Sequence, residues 1–455
     1  MAQMSQAGDL TSGPMLKKII LFSLPLAASS FLQLLFNAAD VVVVGRFAGS
    51  AALAAVGSNG ALINLLVNLF VGLALGANVV AARCYGAKDD QGVHEAVQTA
   101  VTLSLVGGVL MAFVGFFAAH GLLELMSSPE DVIDLATLYL KIYFIGMPMT
   151  MLYNFNASLL RAVGDTRRPL VCLAVAGVIN VVLNLLFVIV FQMSVAGVAL
   201  ATILSQTVSA IMVTVLLVKE EGAMHLDLWH LGFHKKALLQ IIQIGLPAGL
   251  QSVMYSLSNI IIQASVNGFG TDVMAAYTAY GKVDGMYWMV INAFGVAITT
   301  FVGQNFGARL YDRMKKSINV CLGIAAAVTL LLSGVLMVVA EPLLGLFSDD
   351  AQVLEIGLSI VRLIVPTYIT YIFIEILSGA MRGAGDSLIP TIMTLTGVCL
   401  LRVFWVTVVV SAHHELNVLL LSYPITWIVT SGMFMVYYLR GRWLKRCIAL
   451  QNAEN

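Results

Sequence analysis

The chain has 455 residues, of which 60% are hydrophobic and only 11% charged. Soluble domains carry about 25% charged residues, which excludes a large cytoplasmic enzyme. A formal net charge of +0, with no basic arm or acidic tail, argues against nucleic-acid binding. Apolar composition is sustained along the whole length, with mean hydropathy +0.93, and this means many membrane spans rather than one anchored domain.

Lys17 and Lys18 precede a long apolar run from Ile19 to Val44. The run is too long for a signal-peptide core and no cleavage site follows it, so it reads as the first span. In the first half, spans fall near 16–44, 51–80, 93–119, 131–157, 168–190 and 195–218. In the second half they fall near 237–265, 272–303, 317–340, 351–378, 387–411 and 416–439. Each is long enough to cross a bilayer with some tilt.

The basic residues orient these spans. Lys17/Lys18, Arg83/Lys88, Arg161/Arg167/Arg168, Lys219/Lys235/Lys236, Arg309/Arg313/Lys315/Lys316, Arg382 and the tail Arg440/Arg442/Lys445/Arg446 fall on one side. The other side carries Arg46 and otherwise acids and histidines, such as Asp349, Asp350, His413 and His414. The positive-inside rule makes the first side cytoplasmic, which predicts a multi-pass plasma-membrane protein with both termini inside. The five cysteines (Cys84, Cys172, Cys321, Cys399 and Cys447) have no zinc or redox spacing and read as small apolar fillers. No HExxH, GxSxG or P-loop spacing appears, so no enzyme, catalytic residue, resident metal or organic cofactor is expected.

An internal repeat organises the chain. "RAVGD" at Arg161–Asp165 recurs 221 residues later as "RGAGD" at Arg382–Asp386. At the same offset "YGAK" (Tyr85–Lys88) meets "FGAR" (Phe306–Arg309), and Pro169 meets Pro390. Six spans per half is an even number, so both halves enter the membrane in the same direction and the pseudo-twofold runs along its normal. The predicted architecture is an all-α polytopic membrane protein, with about twelve transmembrane helices in two parallel-repeat six-helix lobes. Residues 1–218 form the N-terminal lobe, 219–236 a cytoplasmic interlobe link read as an interfacial helix, and 237–455 the C-terminal lobe with a cytoplasmic tail.

Three stretches carry a family resemblance: "NAADVVVVGRFAGSAALAAVG" (Asn37–Gly57), the RxxGD motif after spans four and ten, and "AFGVAITTFVGQNFGA" (Ala293–Ala308). Together they resemble the multidrug and toxic compound extrusion family, and within it the prokaryotic branch whose working acid lies in the first span. The resemblance implies a V-shaped, two-lobe secondary antiporter in the lipid bilayer; a monomer is expected, because two lobes already contain a complete pathway. It implies alternating-access export of small organic compounds, cationic or amphiphilic, in exchange for protons or sodium. In that branch the acid forms a site with an Asn on the fifth span, an Asp one turn later and a Thr on the sixth. Carried over by motif, the ion-coupling residues are Asp40, Asn180, Asn184 and Thr202. Position 184 is Asn where the pattern has Asp, which removes one carboxylate. Sodium prefers several hard oxygen ligands, whereas a single buried carboxylate is suited to bind and release a proton. Protons are therefore favoured, with sodium at that site left open.

Asp40 lies in "FNAADVVVVGRF", about five residues before Gly45, in the outer half of the first span. A carboxylate at the centre of a span costs roughly 2.5–3.5 kcal/mol, so it is expected to have a partner, a proton or a cargo. Lys141, Lys282, Asp284, Arg362 and Arg402 also lie within spans, and Glu375 lies near the cytoplasmic end of span ten. These residues are expected to bind cargo or to pair with charges on other spans. Lys282 and Asp284 are two apart and do not face each other on one helix; Glu375 reads as a gate or capping contact. Lys141, Lys282, Arg362 and Arg402 outnumber the acids Asp40, Asp284 and Glu375, which keeps open an exporter or flippase of an anionic or lipid-linked saccharide or phosphate cargo. Arg161, Asp165, Arg382 and Asp386 are expected to cap helix ends and close a cytoplasmic gate. Phe31, Tyr153, Tyr255, Tyr287 and Trp288 are candidates to stack on flat cargo, with packing as the alternative for each.

Overall fold

A long apolar run in lipid has no hydrogen-bond partner but its own backbone, which selects helix. The computed structural model describes residues 8–126 and 130–454, and those residues contain helices and no strand. Residues 1–7, 127–129 and 455 fall within the sequence-derived domain bounds but lie outside the described residues.

In chain order the helices are α1 (Met15–Phe47), α2 (Ser50–Ala87), α3 (Asp90–Leu125), α4 (Glu130–Ile145), α5 (Met147–Ala162), α6 (Arg167–Val190) and α7 (Ser194–Val218). They continue with α8 (Lys235–Asn267), α9 (Thr271–Gly307), α10 (Tyr311–Gly345), α11 (Ala351–Gly383), α12 (Leu388–Val410), α13 (Leu416–Leu439) and the terminal α14 (Arg442–Glu454). Among the described residues, 11 helices are long and apolar enough to cross a membrane, and α4 with α5 brings the number to 12. The predicted span near 131–157 is thus a broken one, bent by 49° between Ile145 and Met147. Pro148 explains the break, because a proline in the first turn of α5 has no N–H to extend the ladder from α4.

The chain forms two compact units. The first holds Leu24–Leu246 with Gly8 and Asp9; the second holds Leu10–Ser23 and Pro247–Asn455. The division differs from the sequence-derived bounds at two places: α1 changes unit one residue before Pro25, and α8 changes unit at Pro247. The core of the first unit includes Val79, Val97, Phe155, Leu160 and Leu217, all fully buried.

The link at 219–236 is not the helix expected. After α7 it makes one 3₁₀ turn (Gly222–Met224), and Asp227 Oδ1 accepts the Trp229 backbone N–H at 2.9 Å in a turn that competes with helix. Leu226 is buried, whereas Trp229 is 92% exposed. The end of the link lies against α3, where Thr99 Oγ1 accepts the His234 N–H at 3.0 Å.

The repeat is visible in backbone conformation. Both RxxGD motifs close a helix with the same hydrogen bonds: Asp165 N–H to Leu160 C=O at 3.0 Å and Asp386 N–H to Met381 C=O at 3.0 Å. Their glycines, Gly164 and Gly385, have φ of +89° and +100°, a region that side chains with a Cβ rarely adopt. At the YGAK and FGAR stretches, Lys88 and Arg309 both adopt φ of +57°, and Asp89 N–H and Leu310 N–H reach back to Cys84 and Asn305.

Candidate functional site

The first unit brings α1 and α6 together at a small residue. Gly177 of α6 lies against the Phe36 ring, where a Cβ would collide with ring carbons. One turn beyond Phe36 on α1 comes Asp40, and α6 answers with Asn180 and Asn184, spaced i, i+4 on one face. Asn184 Nδ2 donates to Asp40 Oδ1 and also to Asn180 Oδ1 at 3.2 Å. Asn184 is 0% exposed and its own Oδ1 has no hydrogen-bond partner among the described residues.

Three of the four expected ion-coupling residues therefore meet. Thr202 makes no hydrogen bond to them among the described residues; its hydroxyl donates to the Val198 carbonyl of its own helix at 2.9 Å. Tyr139 of α4, which sequence reasoning missed, is buried in the same core cluster as Val43 and Val44 of α1. Tyr139 stacks on Tyr143 one turn away at 6.3 Å, and that i, i+4 aromatic pair was the available signal. No cation pairs with Asp40 among the described residues. The cluster offers one carboxylate and two neutral amides, a set suited to take up a single positive charge. No group of three or more His, Cys, Asp or Glu able to hold a metal occurs among the described residues.

Of the two roles expected for the other intramembrane charges, ion pairing is not seen: among the described residues Lys141, Lys282, Arg362 and Arg402 have no carboxylate at ion-pair distance. Asp284 of α9 is surrounded instead by neutral donors: Trp288 Nε1 at 2.7 Å, the Tyr280 hydroxyl at 3.2 Å and the Tyr368 hydroxyl. These aromatic donors satisfy the carboxylate and leave no need for a cation. Arg402 of α12 is 2% exposed, stacks over the Tyr423 ring at 4.4 Å, and reaches Thr426 Oγ1 at 3.3 Å and Asn259 Oδ1 at 3.5 Å. Its Nε has no hydrogen-bond partner among the described residues. Lys141 sits over the Phe116 ring at 5.3 Å, while Lys282 and Arg362 are exposed.

Of the stacking candidates, Tyr287 is buried against Tyr368 at 4.0 Å and Trp288 meets Tyr371 edge-on at 4.5 Å. Both belong to an aromatic cluster that also holds Trp427. Glu375 accepts from the Tyr371 hydroxyl at 3.4 Å and fills the space beside Gly295.

The RxxGD aspartates are helix caps. Asp165 Oδ1 accepts the N–H groups of Arg167 and Arg168 at 3.0 and 3.1 Å, and Asp386 Oδ1 accepts that of Ile389 at 3.3 Å. Asp165 also binds the Arg168 side chain, which reaches Glu220 as well. Asp386 pairs with Arg446 at 3.1 Å. Burial pushes the Asp386 carboxyl above its usual range, against the opposing pull of the Ile389 N–H and Arg446. Arg161 and Arg382 are not bonded to the aspartates of their own motifs; Arg382 donates to Ser378 Oγ at 3.2 Å.

Two helical halves that repeat the same loop geometry, with an unpaired carboxylate inside a span, define a multi-span membrane transporter rather than an enzyme. The family's sequence model, described as MatE, matches residues 25–186 and 247–408, so the chain belongs to the MATE family of transporters. It is 29% identical to the probable multidrug resistance protein YoeA of Bacillus subtilis, covering 93% of each chain. It is 26% identical to an FAD transporter of Shewanella oneidensis, over 80% of this chain and 81% of that one. In fold it matches a MOP-superfamily transporter from Pyrococcus furiosus with a TM-score of 0.89 at 23% identity, covering 98% of both chains. That transporter is described as having a binding pocket of reversed polarity that suggests a different function.

Proposed function

We propose that this transporter is a plasma-membrane antiporter, working as a monomer with both termini cytoplasmic, that exports organic cationic or amphiphilic compounds in exchange for protons. Asp40 is the coupling group. The observation that carries this reading is the neutral amide of Asn184 on the Asp40 carboxylate, where a second acid would favour sodium. Protonation of Asp40 turns a charge-assisted hydrogen bond into a neutral one of about half the strength. That weakens the tie between α1 and α6 and favours a rearranged state from which cargo leaves. Deprotonation on the return path restores the tie. Each net charge moved is worth about 2.3 kcal/mol per 100 mV of membrane potential, so cargo charge decides whether the cycle is electrogenic.

The test is efflux of a fluorescent cationic dye from energised cells expressing the protein or its Asp40→Asn variant. The reading predicts efflux that persists without sodium, stops with a protonophore and is lost in the variant. Efflux that needs sodium and ignores the protonophore contradicts it.

A second reading, export or flipping of an anionic cargo, is favoured by Arg402, a buried cation with no carboxylate at ion-pair distance among the described residues. The FAD transporter among the relatives handles a phosphate-bearing molecule, which lends the reading support. If Arg402→Gln abolishes transport of an anionic nucleotide cargo while dye efflux never appears, this second reading replaces the first.

A further inference from the structure

In the second unit, α12 and α13 leave an apolar groove between them. Ile389 and Met393 form one side, and Met433 and Val436 the other. Its volume is about 630 Å³, inside the range of roughly 300–1,000 Å³ that small-ligand sites occupy. Gly432 faces open space in the lining, where a Cβ meets nothing within 4 Å. The groove ends where the last span ends, and there Arg440 and Arg442 join the lining. Both arginines are exposed, and neither has an ion pair or a side-chain hydrogen bond among the described residues. The acid beside the groove, Asp386, is 3% exposed and already engaged by Arg446 and the Ile389 N–H, so it does not neutralise them.

A groove in the first unit supplies the contrast. It is about 540 Å³, lined by Leu105, Val106, Val109, Leu110 and Phe113, and has no charged residue. A bilayer chain fits either groove, but only the α12–α13 groove adds two guanidinium forks at the membrane surface. Guanidinium binds phosphate through paired N–H donors, and basic pockets between transmembrane helices select anionic headgroups. We propose that this groove is a binding site for one anionic phospholipid, with an acyl chain along Ile389, Met393 and Val436 and the phosphate on Arg440 and Arg442. A zwitterionic lipid sets its own cation against the arginines, and free phosphate makes no use of the apolar channel.

The site is tested by native mass spectrometry of the purified, delipidated full-length protein, titrated with phosphatidylglycerol or with phosphatidylcholine of matched chains. The parent is expected to retain phosphatidylglycerol about tenfold more tightly. Arg440→Gln/Arg442→Gln is expected to take up both lipids equally. Gly432→Leu, which fills open space on an exposed helix face, is expected to bind both less at an unchanged unfolding midpoint. Equal retention of the two lipids by the parent, an undiminished preference in the double variant, or displacement of the lipid by millimolar inorganic phosphate each overturns the proposal.

Discussion

Asn184 donates its side-chain amide to the Asp40 carboxylate across the contact between the first and fifth spans, and the same nitrogen reaches Asn180 at 3.2 Å. A neutral donor holds the carboxylate in place without cancelling its charge. The charge is therefore left uncancelled, and in the proposed proton cycle the chemistry of the site turns on position 184.

Asn184→Asp changes that chemistry. Two carboxylates in hydrogen-bond reach repel unless a proton or a metal cation lies between them. The variant is expected to gain a sodium response: its thermal midpoint rises in sodium chloride relative to choline chloride, as it does for any ligand that binds only the folded state. The parent is expected to show no such difference. Differential scanning fluorimetry of the two purified proteins in the two salts checks this.

Gly177→Leu tests the helix approach that forms the site. A Cβ at 177 collides with the Phe36 ring, so α1 and α6 must separate or the ring must move. Overpacking of this kind costs typically about 1–3 kcal/mol. The expected result is a lower unfolding midpoint together with loss of transport, and Phe36→Ala introduced into the same chain restores part of both.

Gly164→Ala and Gly385→Ala test the repeat. Each places a Cβ on backbone at positive φ, +89° and +100°, for a cost of roughly 1–2 kcal/mol. Each variant is expected to unfold more readily, because the same turn closes the same helix position in both halves, and Gly164→Ala by the larger amount, because a Cβ there also collides with the Gly8 backbone. Chemical unfolding in detergent measures it. A variant as stable as the parent shows that its turn tolerates the added carbon.

Stability is also expected to depend on the protonation of Asp386. Burial raises this carboxyl above its unperturbed 3.8, so the folded protein holds the proton more tightly than the unfolded chain. Stability linked to this group is then greatest below the unperturbed value and falls as pH rises through the raised one. The midpoint of the parent minus that of Asp386→Asn is expected to fall as pH increases upward from 3.8, and a difference that grows with pH contradicts the assignment.

Much of this was legible in the sequence, and the failures have physical causes. Hydropathy marks where a chain is in lipid but not its direction, so the span at 131–157 was found while its 49° bend was not, although Pro148 stood at the break. The i, i+4 spacing of Asn180 and Asn184 puts both on one face, and a carboxylate in a neighbouring span has few other polar places to go. The Thr202 hydroxyl bonds its own carbonyl four residues back at 2.9 Å, a use of threonine in a helix that a sequence motif does not reveal. Asp284 has no cation partner among the described residues because Tyr280, Trp288 and Tyr368 supply its donors. In a sequence these residues look like ordinary apolar packing. The link helix failed at Asp227, whose side chain captures a backbone N–H that a helix needs.

The most direct test of the central claim is proton movement by the purified protein in sodium-free proteoliposomes carrying a pH-sensitive dye inside. A cationic cargo gradient is imposed, and the parent is compared with Asp40→Asn. The account predicts that cargo drives protons in the opposite direction through the parent, and that Asp40→Asn moves none while keeping its unfolding midpoint. Cargo-driven proton flux of undiminished size through Asp40→Asn would contradict it and place the coupling group elsewhere.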